Sequence, residues 1–379
     1  MKKRFLIVFF LNLIILSGIL FAQLDTLQYD GLNRTYLLHV PRSYNKNSPM
    51  PLVVALHNAY GGAVNFESMT GFSTRADESG FIVVYPGGTG SPTSWNAGGC
   101  CLSAMTNNID DVGFISILID TISENYNIDP DRVYAAGFSN GSIMAYRLAA
   151  ELSHKIAAIA AASGQMMLDE IDPDYPVPII HFHALDDQSV PYNGGYASGC
   201  NFPSVESVID IWIGINNCTT EPDTFINEDG IIGTKWVALD NNADIVLFTR
   251  PTGGHSWPAN TISATDTIWN FFKDHPMQHS TDIVHKDSHI IKGYILEQNF
   301  PNPFNPATRI GYSIESPDFV SLKVYDVLGR EIRTLISGYQ MPGKYSIRFD
   351  AAQLSSGIYF YRLQVGSKFV EMKKMLLMR

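Results

Sequence analysis

The sequence predicts a mostly parallel α/β sheet with helices on both faces, followed by a small all-β sandwich. Three observations carry this reading. Short buried apolar runs alternate with helix-spaced segments between positions 34 and 272, the pattern of a parallel sheet covered on both sides. One of those runs meets a helix at a tight turn, G-x-S-x-G at 137–141. After Pro276 the chain turns polar and then breaks into short alternating strands, which suits a small sandwich.

Met1-Lys2-Lys3-Arg4 precedes an apolar run over 5–21 and then Ala22. A basic head, an apolar middle and a small residue form a secretory signal peptide over 1–22. A membrane anchor is the alternative, since the run approaches spanning length. Polar sequence follows at once without a basic stop-transfer group, which favours cleavage after Ala22, and no later segment is apolar enough to span a membrane. The 379 residues fit one large domain and a small one,. A content of 45% hydrophobic and 12% aromatic residues supports a packed core,. The formal net charge of −11 argues against nucleic acid and anionic membrane surfaces as partners,.

Alternation over 34–40 reads as a strand, and 51–56 and 81–85 as buried strands. Apolar residues at Val112, Ile115, Leu118 and Ile122 place a helix over 110–125,. A strand over 132–136 leads into Gly137-Phe138-Ser139-Asn140-Gly141, and helical spacing resumes over 142–150. Runs at 156–162, 177–183 and 245–249 are further strands; 204–217 and 261–272 are helices. Functional groups in such a sheet belong at the carboxyl ends of the strands.

Strand, turn and helix meet at Ser139, the setting of a nucleophile elbow. Side chains at Gly137 and Gly141 would collide with neighbouring backbone, so glycine lets Ser139 stand exposed on a strained turn. The helix N-terminus then aims free N–H groups at an anion forming on an attacked carbonyl. A serine nucleophile needs a base, and the base a carboxylate that orients it. Two places after Ser139 suit, in the order serine, acid, histidine. In one, a buried strand ends at Asp186-Asp187; in the other, Gly253-Gly254-His255 lies in a loop before the last helix. Taken alone, these are a turn-capping aspartate and a surface histidine; the chain order and the strand ends make them a triad with Ser139. A second oxyanion N–H belongs in the loop after an early strand, Leu56-His57-Asn58-Ala59-Tyr60-Gly61-Gly62. The donors assigned are the backbone N–H groups of Ala59 and Asn140.

At this point the chain resembles the secreted esterases of the polyhydroxybutyrate depolymerase and feruloyl esterase group, in carbohydrate esterase family 1. The resemblance covers roughly 24–276. It rests on Leu56-His57, Ser94-Trp95-Asn96 with Gly99-Cys100-Cys101, Ile109-Asp110-Asp111-Val112, Asp129-Pro130-Asp131-Arg132-Val133-Tyr134, the elbow, Val190-Pro191-Tyr192 and Gly254-His255-Ser256-Trp257-Pro258. It implies an α/β-hydrolase fold over 23–277 and ester hydrolysis by Ser139, Asp187 and His255, without a metal or cofactor. The family's acid stands just before two residues and then V-P-Y, which falls on Asp187; Asp186 is the runner-up. Asn58 replaces the family's usual glycine after the histidine, and His183-Ala184-Leu185-Asp186-Asp187 replaces its H-G-T-x-D.

Several residues have a second reading. His181 and His183 point to one side of a strand as a metal pair would, but no third ligand accompanies them, and burial with hydrogen bonding accounts for them better. Asp110 and Asp111 begin a helix, so N-capping explains both. Trp95, Tyr192 and Trp257 fall in loops beside the expected site, either as faces for a sugar or phenolic ring or as loop packing. Cys200 and Cys218 flank a helix ~20 Å long, whereas a disulfide needs Cα atoms within ~7 Å. Either Cys100 and Cys101 each bond one of them, or they bond each other.

The segment 278–294 reads as a linker. Strands follow at 308–314, 320–325, 344–349, 357–365 and 369–377. By themselves they suggest a carbohydrate-binding or adhesive module. Residues 295–379 resemble the C-terminal sorting domain of type IX secretion, through Asn299-Phe300-Pro301-Asn302-Pro303-Phe304-Asn305-Pro306, Val324-Tyr325-Asp326-Val327-Leu328-Gly329, Leu354-Ser355-Ser356-Gly357-Ile358-Tyr359 and the basic Lys373-Lys374 ending. The resemblance implies an outer-membrane exporter as partner and an extracellular or surface-attached product. The expected substrate is a feruloyl or acetyl ester on plant cell-wall polysaccharide such as xylan. The alternatives are a polyhydroxyalkanoate or aromatic polyester, and a non-catalytic carbohydrate-binding surface protein that kept the fold.

Overall fold

The computed structural model describes residues 24–277 and 293–378, apart from positions 170, 229, 260–262, 300, 317, 341–342 and 352–353. The expected signal peptide at 1–22 and most of the expected linker at 278–294 lie outside the described residues. Contacts divide the chain into two units, Met1–Thr281 and Asp282–Arg379.

The first unit opens with a hairpin of β1 (Asp25–Tyr29), which has no counterpart in the sequence expectation, and β2 (Leu32–His39), the strand expected over 34–40. Asp30 and Gly31, at φ 48 and 76, make the left-handed turn for which Asp-Gly is a strong signal,. β3 (Met50–Leu56) is followed by α1 (Ala63–Thr70) and α2 (Phe72–Ser79), then by β4 (Ile82–Pro86). Both helices are also additions to the sequence reading. Next come α3 (Leu102–Thr106), α4 (Asp111–Asn125), β5 (Ile128–Phe138), α5 (Asn140–Glu151), β6 (Ala158–Ala162) and β7 (Ile179–Ala184). A small hairpin, β8 (Gly195–Ala197) and β9 (Cys200–Phe202), precedes α6 (Val205–Ile215). The unit ends with β10 (Asp223–Glu228), β11 (Ile231–Trp236), β12 (Ile245–Arg250) and α7 (Ala264–Asp274).

Apart from β8 and β9, these strands form a ten-stranded sheet in the order β1-β2-β4-β3-β5-β6-β7-β12-β11-β10. The central pairs from β4 to β12 are parallel, and the outer pairs are antiparallel. From β3 the chain passes to β4 on one side and then to β5 on the other. That reversal opens a crevice at the carboxyl ends of β3 and β5, where open α/β sheets place their sites. One face of the sheet is covered by Phe114, Leu118, Met144, Leu148 and Trp212, the other by Phe66, Phe72, Trp269 and Phe272. On the second face Phe81 stacks on Trp269 at 4.0 Å and Tyr134 on Phe272 at 4.6 Å. Each such pair adds about 0.5–1.5 kcal/mol beyond its buried area.

The two aspartates at the start of α4 differ in role. Asp110 is the N-cap and accepts the Gly113 N–H at 2.9 Å,. Asp111 does not cap: its buried carboxylate takes Arg34 at 2.6 Å and the Asn96 N–H at 2.7 Å. This buried ion pair ties β2 to α4 and to the loop after β4.

A second buried acid gives a stability prediction. Burial alone would raise the Asp244 carboxyl, but His275, Lys235 at 2.6 Å and the Ala238 N–H at 2.9 Å hold it well below the usual carboxylate range. A depressed acid stabilises the fold above its unfolded pKa, about 3.9, and that contribution is lost as pH falls through the lower folded value. Asp244→Asn is expected to lower Tm at pH 7, with the gap to wild type closing as pH drops below about 4. A gap that stays constant in thermal melts from pH 7 to pH 2 would remove the charge argument.

The second unit packs two antiparallel sheets around one core. β13 (Ile295–Leu296), β14 (Ala307–Ile314) and β17 (Gly343–Asp350) make one; β16 (Glu331–Gln340), β15 (Asp318–Tyr325), β18 (Gly357–Val365) and β19 (Phe369–Leu377) make the other. β15 and β18 alternate buried and part-exposed residues, so Val320, Leu322, Val324, Tyr361, Leu363 and Val365 face inward,. Buried Asn299 pins the segment before β14: its N–H meets the Tyr361 hydroxyl at 2.8 Å and its amide meets Thr308 Oγ1 at 2.9 Å. Asp326 closes the turn after β15 by accepting the N–H groups of Leu328 and Arg330, both at 2.9 Å, while Gly329 takes the left-handed position at φ 75,. Among the described residues no helix is long and apolar enough to cross a membrane.

Candidate active site

β5 ends at Phe138, and Ser139 is the N-cap of α5 with φ 56 and ψ −122, a backbone that few non-glycine residues adopt,. Its N–H is pinned to the Ala162 carbonyl at the end of β6, at 2.8 Å. Crowding explains the flanking glycines. A Cβ at Gly137 would run into the Gly141 carbonyl, and one at Gly141 into the Leu56 carbonyl. α5 therefore starts hard against the end of β3. The N–H groups of Asn140, Gly141 and Ser142 have no carbonyl one turn back in the helix, and the positive end of the helix lies at Ser139.

His255 Nε2 lies 2.8 Å from Ser139 Oγ, and His255 Nδ1 lies 2.8 Å from Asp187 Oδ2. A carboxylate only accepts, so Nδ1 carries the proton and Nε2 turns its lone pair to the serine hydroxyl. Asp187 is 2% exposed. Its other oxygen accepts the N–H groups of Ser189 at 2.8 Å and Val190 at 2.9 Å. Burial pushes the Asp187 carboxyl up, but the hydrogen bonds from His255 and Val190 and the neighbouring imidazoles outweigh it and hold the group below its ordinary value,. Asp186 fixes the histidine loop instead. Its oxygens accept Gly254 N–H at 2.8 Å and Gly253 N–H at 3.3 Å. Gly253 and Gly254 take φ 137 and 55, which suits glycine. Ser256 Oγ bridges the same loop, accepting from Arg250 Nη2 and donating to the Gly253 carbonyl, each at 2.8 Å.

The loop after β3 is locked to the loop after β4. Tyr60 N–H meets the Thr93 carbonyl at 2.9 Å, and Thr93 Oγ1 meets the Gly61 carbonyl at 2.6 Å. His57 accepts the Gly88 N–H on Nε2 at 2.9 Å and so donates from Nδ1 to the Asn58 carbonyl at 2.7 Å. Burial lowers its pKa and keeps it neutral. Asn140 contributes more than a backbone N–H: its amide exchanges hydrogen bonds with the Trp95 backbone, at 2.7 Å and 3.1 Å. The Trp95 indole in turn donates to the His57 carbonyl at 2.8 Å. Helix α5 thereby braces the loop that carries Ala59.

The structure corrects the reading of three aromatics as possible ring platforms. Trp95 is fully buried beneath the loop it braces. Tyr192 is buried, with its hydroxyl 3.5 Å from Glu206. Trp257 is buried edge-on against Phe66, Phe72 and Phe138. None offers a face to a ligand, because the loops fold their apolar bodies inward. Among the described residues the most exposed aromatics are Tyr60 at 74% and Tyr196 at 80%. Tyr60 adjoins Ala59 at φ 64, an uncommon backbone for a bulky residue,. The sulfurs of Cys100 and Cys101 adjoin, with the Cys200 sulfur within 4.8 Å of both, while Cys218 is buried.

Two family descriptions match the chain: esterase PHB depolymerase over residues 34–172 and secretion system C-terminal sorting domain over 298–378. A probable feruloyl esterase C of Aspergillus flavus is 30% identical over 251 residues, covering 63% of this chain and 84% of that protein. The chain belongs to the PHB depolymerase-type esterase family. Its esterase-family unit also matches a bifunctional acetylxylan esterase/xylanase of Neocallimastix patriciarum, 32% identical over 253 residues. That match takes in 65% of this chain and only 34% of the relative, so the chain spans about a third of that protein. The fold agrees with that of acetyl xylan esterase from Aspergillus awamori, at TM-score 0.51 and 15% identity over 66% of this chain and 99% of that one. The esterase-family unit thus has the α/β-hydrolase fold, and it is followed by a sorting domain.

Proposed function

We propose that this chain is an exported serine ester hydrolase that releases feruloyl or acetyl groups from plant cell-wall polysaccharide such as xylan. The observation that carries the chemistry is the hydrogen-bonded line Ser139–His255–Asp187, 2.8 Å at each step, beside a free helix N-terminus. As Ser139 Oγ attacks the ester carbonyl, His255 Nε2 takes its proton. Asp187 stabilises the imidazolium that forms. The N–H groups of Asn140 and Ala59 receive the oxyanion. His255 returns the proton to the leaving alcohol, and water frees the acid by the same steps.

The substrate reading is supported by relatives described as acetylxylan and feruloyl esterases and by an exposed Tyr60 next to the proposed oxyanion donor. The second reading, a polyester, is supported by the description of the matching family as PHB depolymerase. Export would run through the signal peptide at 1–22, and the sorting domain would engage the type IX machinery and leave the enzyme outside or on the cell surface. In this division 23–277 is the catalytic domain, 278–294 the linker and 295–379 the sorting domain. The full chain is expected to give higher kcat/KM on methyl ferulate or acetylated xylan oligomers than its turnover on polyhydroxybutyrate film. Rapid film clearing with negligible activity on both soluble esters would reject the cell-wall reading in favour of the polyester.

A further inference from the structure

Three buried ring side chains that the proposed hydrolysis does not use form a hydrogen-bonded row behind Asp187. Tyr146 of α5 meets His181 Nδ1 at 2.9 Å, His181 Nε2 meets His183 Nδ1 at 3.0 Å, and His183 Nε2 meets the Val190 carbonyl at 2.8 Å. The two imidazoles stand on the same side of β7, nearly parallel at 3°. Burial disfavours the charged imidazoles and pushes the Tyr146 phenol up, so all three groups are neutral,.

The carbonyl at Val190 fixes the direction of the whole row. A carbonyl only accepts, so His183 carries its single proton on Nε2 and presents a lone pair at Nδ1. His181 must then donate from Nε2, which leaves its Nδ1 to accept the Tyr146 hydroxyl. The row ends on the acid's own turn. The backbone of Val190 is held on both sides of its Cα, its N–H on Asp187 Oδ1 at 2.9 Å and its carbonyl on His183 Nε2. The same Nε2–H lies 3.6 Å from Asp187 Oδ2, with both side chains fully buried. At the other end Tyr146 belongs to the helix capped by Ser139. The row therefore cross-braces the helix of the proposed nucleophile to the loop of the proposed acid.

We propose that His183 is a positioning residue for Asp187, held in its Nε2–H tautomer by the Val190 carbonyl, with His181 and Tyr146 completing the row. This rests on the triad reading above. Gln at 183 can place an N–H near the lost Nε2, whereas Asn reaches only to the position of Nδ1. On p-nitrophenyl acetate, His183→Gln is expected to keep kcat within about fivefold, and His183→Asn to lose about 100-fold in kcat with KM unchanged, the scale of a misplacement near 1 Å. Near-ultraviolet circular dichroism checks that both are folded. Equal kcat in the two variants, or a loss carried by KM, would overturn the proposal. If the Asn variant does not fold, the Gln variant decides alone: a folded form that loses about 100-fold overturns it. In ¹⁵N-labelled wild type, His183 is expected as the Nε2–H tautomer, and Nδ1–H would overturn the direction of the row. Fluorophosphonate labelling of wild-type Ser139 separates the two readings. If labelling and hydrolysis are both absent, the triad reading fails; if both are present and the variants are alike, only this inference fails.

Discussion

Replacing Ser139 by alanine is expected to lower kcat for ester hydrolysis by about 10⁶-fold while leaving the protein folded, because the residues of such a triad act as a unit. The substitution removes the hydrogen bond between Ser139 Oγ and His255, at a part-buried site, and the fold should survive that. The strained backbone at φ 56 costs alanine about what it costs serine, and the N–H bond to the Ala162 carbonyl remains,. Circular dichroism and hydrolysis of p-nitrophenyl acetate measure both halves of the claim. If the variant kept a tenth of wild-type turnover, Ser139 would not be the nucleophile. A wild type that binds xylan but hydrolyses none of the esters tested would leave the non-catalytic reading standing.

What the sequence disclosed about this fold and what it hid have separate causes. The central parallel strands were legible because both faces are covered, so Val53, Val54, Ala55 and Leu56 read as one apolar run,. The first hairpin carries the Asp30-Gly31 turn signal, yet its outer strand Asp25–Tyr29 is mostly polar and exposed, and no apolar pattern marks it. Helices α1 and α2 are short, with only Ala63, Phe66, Thr70, Phe72 and Ala76 buried, too few for a clear period,. Missing them had a consequence at the site. Phe66 and Phe72 are the rings that enclose Trp257, so the burial of that loop aromatic depends on elements far away in the chain. The buried Trp95 is likewise held through its backbone by a partner 45 residues on, the Asn140 amide. No local pattern announces such an amide. Glycines at tight approaches behave differently: Gly137 and Gly141 mark their crowding within five residues of sequence, which is why the elbow stands out.

Asp187→Asn is expected to lower kcat by about 10⁴-fold, the scale seen when a triad histidine is left in the wrong tautomer. The surroundings of the carboxylate show why an isosteric amide cannot substitute. Oδ1 accepts two backbone N–H groups, from Ser189 at 2.8 Å and Val190 at 2.9 Å. An asparagine must place its carbonyl oxygen there, since turning its NH₂ toward two donors would leave all of them unsatisfied. The NH₂ then takes the place of Oδ2 and faces His255 Nδ1. To accept from it, the imidazole moves its proton to Nε2, the atom that lies 2.8 Å from Ser139 Oγ, and no lone pair remains to take the serine proton. Because Asp187 is held below its ordinary carboxylate value, wild type keeps the charged form throughout the pH range above about 4, and the deficit of the variant should persist across that range. Asp186→Asn provides the contrast. Its amide oxygen can still accept the Gly254 N–H that Asp186 holds at 2.8 Å, so the histidine loop loses only the weaker 3.3 Å bond to Gly253. A loss of no more than about tenfold is expected there, in line with one weakened hydrogen bond. Steady-state kcat for the two variants side by side settles the assignment, and the reverse order of losses would move the acid to Asp186.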